Sequence, residues 1–450
     1  MKQKRPNIIL IVMDTVRADH LSCYGYHRKT TPNIDMFAKR GVLFKKAFSA
    51  ATWTIPSHAS IFTGKYPFQH GAFGRNARLK EERTLPNILR HYGYTTIGIT
   101  DCLILSSLTG FNKGFDIFIN TSEIPLISPL FIREKIKDII RSIFQGLDSH
   151  TYRINEIIKG LLRRKTVKKP FFLFINYFNA HVPYNPPKPF RNKFVISDST
   201  IDKKKIKYIA TGRVKPDLLR NKVSVSKKEW DIVKSLYDGE IAYLDHRIGE
   251  LVKFLEDEGL LHDTFLIITS DHGEYFGEHK LAGHVTSLYN EVLHVPLIMV
   301  YPRENFNGLQ VSHLVSTIDI FSTIMNLLGI KLGENLPSVS LYPFENRKFH
   351  NFILAESDYL EREEERLPHI HKRSICIITE SYKYVYSPDC EELYDLQNDP
   401  KESINLAQKN SEKIRYFRKI LEKTIRKPLD GKSLTSTEKE IIKKLRRLGI

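Results

Sequence analysis

Apolar residues fall along this chain in two kinds of run. Asn7–Met13 (NIILIVM), Phe171–Phe178 (FFLFINYF), Thr264–Thr269 (TFLIIT) and Pro296–Tyr301 (PLIMVY) are short and continuous, the pattern of parallel strands buried on both faces. Val42–Phe48, Thr95–Thr100 and the end of Asn112–Phe118 read as further strands. Between them, apolar positions recur at helical spacing. Thr31-Pro32 opens a helix over 33–40 that Gly41 closes, and Thr84-Leu85-Pro86 opens another that runs through His91 and stops at Gly93. Lys227–Glu258 is a long helix followed by Gly259, and Thr317–Leu328 a helix ending at Gly329, each with the glycine stop common at helix C-termini. Strand alternating with helix predicts an α/β fold with a mixed, mostly parallel sheet flanked by helices.

The pattern changes after about residue 340. Short strands over 374–379, 382–386 and 391–396 are joined by tight turns, and basic helices follow at 410–426 and 436–447. We therefore expect a large α/β domain over 1–340 and a C-terminal subdomain over 341–450 with a small antiparallel sheet and a basic helical tail. Two stretches break the rhythm. Residues 119–168 are irregular and residues 191–226 are basic and polar with few periodic apolar positions, so both read as insertions, the second as a loop. Within the first, 131–144 mixes apolar and basic residues at helical spacing. That suits a packed amphipathic helix or, alternatively, one lying on a membrane surface.

The net charge of +18 makes an anionic partner the natural one: nucleic acid, lipid headgroups, or phosphorylated or sulfated compounds. Basic runs at 133–137, 163–169, 203–207 and 443–447 carry the excess, but no nucleic-acid-binding motif accompanies them, so specific nucleic-acid binding is not expected. The four cysteines, Cys23, Cys102, Cys376 and Cys390, are widely spaced and form neither a disulfide framework nor a zinc knuckle. A reducing interior suits them. The apolar run after Lys2, Lys4 and Arg5 is too short for a signal peptide and ends at Asp14 without a small-residue cleavage site. No stretch reaches the roughly 18 apolar residues of a membrane span. The expectation is a cytoplasmic protein, with peripheral membrane contact through 131–144 as its variant.

Candidate chemistry gathers at strand ends. Asp14 follows the first strand, and Asp271-His272 follows Thr264–Thr269. In a parallel sheet both emerge at the C-terminal edge, where ligands bind. Two carboxylates and an imidazole there make a divalent-metal site, with Ca, Mg, Mn and Zn all open as its occupant. The stretch Ala51–Gly64 (ATWTIPSHASIFTG) reads as a loop entering a helix, with Pro56 as the first helical residue and Gly64 as the stop. Thr54 is then either an N-cap or a nucleophile activated by a metal at the same edge. His58, one turn on, is a candidate contact for an anionic substrate. His181 follows the strand Phe171–Phe178, and His284 lies in a Gly-containing loop beyond Asp271-His272. Each is a candidate proton carrier or anion contact; together they are alternatively a second metal site.

These stretches resemble the sulfatase family of the alkaline phosphatase superfamily. The likeness runs through NIILIVMDTVRADHLSCYGY, TPNIDMFAKRGVLFKKAFS, IPSHASIFTGKYP, FFLFINYFNAHVPYNPP, IITSDHGEYFGEH, LYNEVLHVPLIM, STIDIFSTIMNLLGI and YKYVYSPDCEELYDLQNDPKESINL. It implies the superfamily's α/β sheet with a C-terminal β-subdomain. It also implies metal ligation by Asp14, Asp271 and His272, Thr54 at the nucleophile position and a metal ligand too, and His181 and His284 around the anionic group.

The departures narrow this. Typical members carry Cys or Ser, converted to formylglycine, in a Cys-x-Pro-x-Arg pattern. Here the sequence is Thr54-Ile55-Pro56-Ser57-His58, and the extra methyl of Thr bars that conversion. Thr15 stands at the second of the paired N-terminal acidic ligands. The Gly-Lys-x-His segment is absent near 100–103 (TDCL), and His284 sits where many members have Lys. An unmodified Thr beside a metal is what the superfamily's phosphodiesterases and phosphoryl-transferring relatives use. The expectation is a metal-dependent hydrolase or transferase acting on an anionic ester, phosphoester ahead of sulfate ester, in a small molecule, glycan or lipid headgroup. The alternative is a non-catalytic binder of anionic glycans or lipid headgroups.

Overall fold

The structure, a computed structural model, describes residues 5–426 other than 75, 124–150, 164–166, 196–199, 285, 305, 334, 345–348 and 359–372. The helix expected at 131–144, the basic runs at 133–137 and 443–447 and the helix expected at 436–447 lie outside the described residues.

The strands in chain order are β1 (Asn7–Met13), β2 (Val42–Phe48), β3 (Thr95–Thr100), β4 (Ile117–Asn120), β5 (Phe171–Tyr177), β6 (Thr264–Ser270), β7 (Tyr275–Phe276), β8 (Ala282–Gly283), β9 (Leu297–Val300), β10 (Leu309–Ser316), β11 (Ile353–Asp358), β12 (Arg373–Ile378), β13 (Tyr382–Tyr386) and β14 (Glu391–Asp395). Eight form one sheet in the order β10-β2-β9-β6-β1-β5-β3-β4. All neighbours in it run parallel except β9, which is antiparallel to β2 and β6. Four form an antiparallel sheet, β11-β12-β13-β14, and β7-β8 is a separate small hairpin.

The continuous apolar run of β1 is explained by its central place. Ile9, Ile11 and Met13 enter one core with the helix Lys227–Asp257, while Ile8, Leu10 and Val12 enter the other with the helix Thr54–Thr63. Residues alternate between faces along a strand, so a strand covered on both sides must be apolar throughout. Among the described residues no helix is long and apolar enough to cross a membrane.

The segment 191–226 corrects the expectation of a loop. It holds the helices Lys203–Ala210 and Lys215–Leu219, and Ile209, Ala210, Val214 and Leu219 are buried. Helices this short need only one or two apolar anchors, too few to register as periodicity over a longer window. A helix, Thr151–Arg163, also lies within 119–168. Strands β10 and β11 went unforeseen because polar residues interrupt both (LQVSHLVS, ILAESD).

The small sheet holds the segments that carry the candidate chemistry. The Glu356 N–H donates to Ala50 O at 3.0 Å, and Ala51 pairs with Glu356 in a parallel bridge. This secures the loop leading to Thr54. From β13, Lys383 is fully buried and forms an ion pair with Glu402 at 2.7 Å. Its Nζ also donates to Leu288 O at 2.9 Å and Asn290 Oδ1 at 2.7 Å, fixing the chain just beyond His284. Removing one member of a buried pair leaves the other charge unpaired. Lys383→Met is expected to lower unfolding free energy by about 3–5 kcal/mol, and adding Glu402→Leu should restore much of it. Denaturant titration of the two variants checks this.

Candidate active site and metal centre

β1 and β6 are adjacent parallel strands with Met13 opposite Ser270. The residues that follow them, Asp14 and Asp271, therefore come out side by side although far apart in sequence. Both are fully buried, as is His272. Ligand atoms of Asp14, Asp271 and His272 all lie within 4.8 Å of one another. His272 Nε2 is 3.9 Å from Asp14 Oδ1 and 3.4 Å from Asp271 Oδ2.

Local hydrogen bonds determine what these atoms present. Asp271 Oδ1 accepts from the N–H groups of His272 at 2.8 Å and Thr15 at 3.2 Å. His272 Nδ1 lies 3.0 Å from Gly273 O, which can only accept. Nδ1 therefore carries a proton, and Nε2 is the ring atom turned toward two carboxylates. Both oxygens of Asp14 and Oδ2 of Asp271 are buried without a hydrogen-bond partner. Burial, reinforced by the charges of Asp271, Asp101 and Glu274, holds the Asp14 carboxyl well above its ordinary range. Lone pairs facing one another in a dry site need a cation between them. The donor set of two carboxylates and one imidazole fits a divalent metal ion.

The helix Thr54–Thr63 starts two residues earlier than the Pro signal implies. Trp53 is the N-cap, Thr54 the first helical residue and Pro56 the third, and Gly64 ends the helix at φ 66°. A proline anywhere in the first turn costs no hydrogen bond, because those N–H groups have no intrahelical partner. Trp53 makes no side-chain capping bond, and Thr54 Oγ1 is directed instead at His272 Nε2, 3.5 Å away. The Thr54 backbone carbonyl accepts from His58 Nδ1 at 2.9 Å. The His58 ring is fully buried, edge-on to Phe111 and Phe174, with Nε2 3.5 Å from Asn176 Nδ2 and Nδ1 3.6 Å from Asp271 Oδ2. Burial lowers its pKa.

The other two histidines lie close by. The His284 ring is 4.5 Å from that of His272 and 5.1 Å from that of His181, centre to centre. His284 Nδ1 bonds Glu274 Oε1 at 3.0 Å, and His181 Nδ1 donates to Val182 O at 2.8 Å. Burial first, then neighbouring cationic groups, pushes His284 well below its ordinary pKa and His181 down to about 4. All seven residues singled out in the sequence thus gather at one edge of the sheet. His58 stands behind Thr54 rather than on an open surface.

Four further residues complete the setting. Thr15 takes φ 58°, an uncommon conformation for a β-branched residue, which bends the chain off β1. Its Oγ1 donates to Ala180 O at 2.8 Å, and its carbonyl accepts from Tyr237 OH at 2.7 Å. Asp101 follows β3 as Asp14 follows β1 and accepts from Phe178 N–H at 2.8 Å. Asn176 is a polar residue inside the apolar run of β5, a legible anomaly. Fully buried Glu274 orients His284 and sits in the same SDHGE run as Asp271.

The sulfatase family model matches residues 6–330, and the model described as N-sulphoglucosamine sulphohydrolase, C-terminal, matches 277–428. The chain belongs to the sulfatase family. An arylsulfatase of Clostridium perfringens is 28% identical to it, the match covering 94% of each chain. The N-acetylglucosamine-6-O-sulfatase of Bacteroides thetaiotaomicron is 25% identical, over 94% of this chain and 86% of the relative. The crystal structure of the phosphonate monoester hydrolase of Agrobacterium radiobacter superposes with a TM-score of 0.76 at 22% identity, over 96% of this chain and 99% of that one. This last likeness is one of fold. Sulfatases generally use a divalent metal, and among the described residues Asp14, Asp271 and His272 form a group that could hold one.

The raised Asp14 pKa carries a sign. In the metal-free protein its carboxyl stays protonated at pH values where the unfolded chain has already ionised. The unfolded state then gains by losing its proton, and stability falls as pH rises above about 4 toward the folded pKa. Asp14→Asn removes that penalty. Metal-stripped Asp14→Asn should melt a few degrees above metal-stripped wild type at neutral pH, yet gain little or nothing from added divalent ions that stabilise wild type. Thermal melts with and without metal test both halves.

Proposed function

We propose that the protein is a metal-dependent hydrolase of anionic esters in which unmodified Thr54 attacks, with phosphoesters the favoured class over sulfate esters. The observation that carries this reading is the Thr54 hydroxyl: free of any capping bond, at the head of a helix, 3.5 Å from His272 Nε2. The relatives' names support ester hydrolysis. The threonine, which lacks the aldehyde route, favours phosphorus. The acceptor that resolves the intermediate is water or a second hydroxyl, which makes transfer a variant of the same chemistry.

In this reading Asp14, Asp271, His272 and the Thr54 oxygen hold the metal, which when bound favours the alkoxide form of Thr54 and offsets charge on the ester oxygens. The unpaired N–H groups of the helix start point toward the same anion. Thr54 Oγ1 forms the bond to phosphorus as the leaving oxygen departs, giving a phospho-threonine. His181 and His284 commit Nδ1 to Val182 O and Glu274 Oε1, so each neutral ring offers Nε2 as a proton acceptor. An anion bound beside them raises their affinity for a proton and prepares them to pass it to the leaving oxygen. His58 acts on the nucleophile from behind by holding the Thr54 carbonyl and thereby the first helical turn.

Metal content and turnover of aryl phosphodiester, phosphomonoester and sulfate ester substrates, measured on one sample, test this. Metal-dependent phosphoester turnover should fall on the order of a thousandfold or more in Thr54→Ala, with folding and metal content retained. An active Ala variant would remove Thr54 from the role of nucleophile. Turnover of the sulfate ester alone would overturn the substrate class.

A further inference from the structure

We infer that the protein docks on anionic lipid bilayers through the loop that follows β3. This inference is independent of the chemistry assigned to the site. Among the described residues seven large hydrophobic side chains are exposed, and three of them fall within one six-residue stretch: Leu103 at 64%, Ile104 at 39% and Leu108 at 76%. Their exposure is not that of a loose turn. Thr109 Oγ1 accepts from Ser106 N–H at 3.1 Å and reaches the carbonyls of Ile104 and Ser106 at 2.5 and 3.2 Å. Asn120 Nδ2 holds the carbonyls of Cys102 at 3.0 Å and Leu105 at 3.1 Å. Leu105 and Phe111 anchor the loop in the core. A well-tied loop with two apolar anchors inside and three aliphatic side chains outside is built to present them.

The charge beside the loop identifies the occupant. The Leu79 N–H donates to Thr109 O at 2.8 Å, so Arg78 and Lys80 flank the contact next to Leu108. The Lys113 N–H reaches back to Gly110 O. Arg78, Lys80 and Lys113 are exposed, and none has an ion-pair partner among the described residues. Of the acidic neighbours, Glu81 is engaged by Lys65 at 2.9 Å, leaving Glu82 and Glu123 against three cations. Three aliphatic side chains fall short of the roughly 800 Å² that each partner buries in a stable protein interface. A few inserted apolar tips ringed by cations are what a negatively charged membrane surface binds. The loop leaves the sheet at Asp101, on the same edge as Asp14, so docking would bring that edge toward the lipid headgroups.

The test is co-sedimentation of the full chain with vesicles of phosphatidylcholine alone and of phosphatidylcholine with phosphatidylglycerol. Binding to the anionic vesicles is expected, weakening as salt rises. The double variant Leu103→Ser/Leu108→Ser should reduce the partition by at least about tenfold, and Arg78→Glu/Lys80→Glu should reduce it on anionic vesicles alone. Aryl-ester turnover in solution should be unchanged in the leucine variant, and Thr54→Ala should bind vesicles as wild type does. A chain that stays in the supernatant at low salt overturns the inference. So does a leucine variant that sediments like wild type, which would assign binding to another basic segment. Self-association lost in the leucine variant, without vesicle binding, would assign the patch to a second copy.

Discussion

Buried oxygens that lack a partner are the constraint around which this molecule is arranged. Asp14 and Asp271 bring three such oxygens into one dry space and set them against His272 Nε2. A protein interior does not hold like charges together without compensation. Protonating Asp14 relieves the repulsion partly; a cation relieves it fully and joins the groups into one centre. The surrounding hydrogen bonds run the same way. Each occupies the other atom of a ligand: Asp271 Oδ1 by two backbone N–H groups, His272 Nδ1 by a carbonyl. The atoms left over all face inward.

The scaffold that holds this arrangement is the ladder between β1 and β6. Because Met13 pairs with Ser270, Asp14 and Asp271 have little freedom to separate. Thr15 then turns at a positive φ, and strain of that kind persists only where neighbours over-determine it. Here Ala180, Asp271 and Tyr237 all bond to Thr15, tying the loops after β1, β5 and β6 into one knot. The four-stranded sheet plays the corresponding part for Thr54 and His284. It is hydrogen-bonded to the chain just before the first and just after the second. Its contribution to the site is therefore mechanical, through hydrogen bonds to the segments that carry these residues.

Much of this was legible in the sequence, for reasons that differ by element. The central strands could be read because burial on both faces leaves no polar position to confuse them. Asp14, Asp271 and His272 could be read because they stand where such strands end. The edge strand β10 and the strand β11 could not, since a strand with one wet face, or one running into acidic residues, looks like loop. The helices of 200–222 could not, because so few side chains anchor them. Asp101 obeys the same strand-end logic as Asp14 and was legible by it. Glu274 was not: nothing in SDHGE distinguishes a carboxylate that orients a histidine from one that meets solvent. The start of the helix at Thr54 rather than Pro56 was also hidden. Both registers satisfy the proline, and the bond from Ser57 N–H to Trp53 O at 3.2 Å sets the earlier start.

That shift of register has a chemical consequence. With Thr54 as an N-cap, its oxygen would be spent on a backbone N–H within its own helix. One position further in, the hydroxyl has no such bond, and the first N–H groups of the helix are left for an incoming anion. Those N–H groups alone cannot draw an anionic ester toward a site that already holds two carboxylates. Burial lowers the proton affinity of His58, His181 and His284, which disfavours positive charge on them before an anion binds. The chain is strongly basic overall, but Lys215, which reaches this set, donates to the His284 carbonyl at 2.7 Å. An ion between Asp14, Asp271 and His272 would supply positive charge there, so that in the proposed reading affinity for the ester and affinity for the metal are linked through the same buried oxygens.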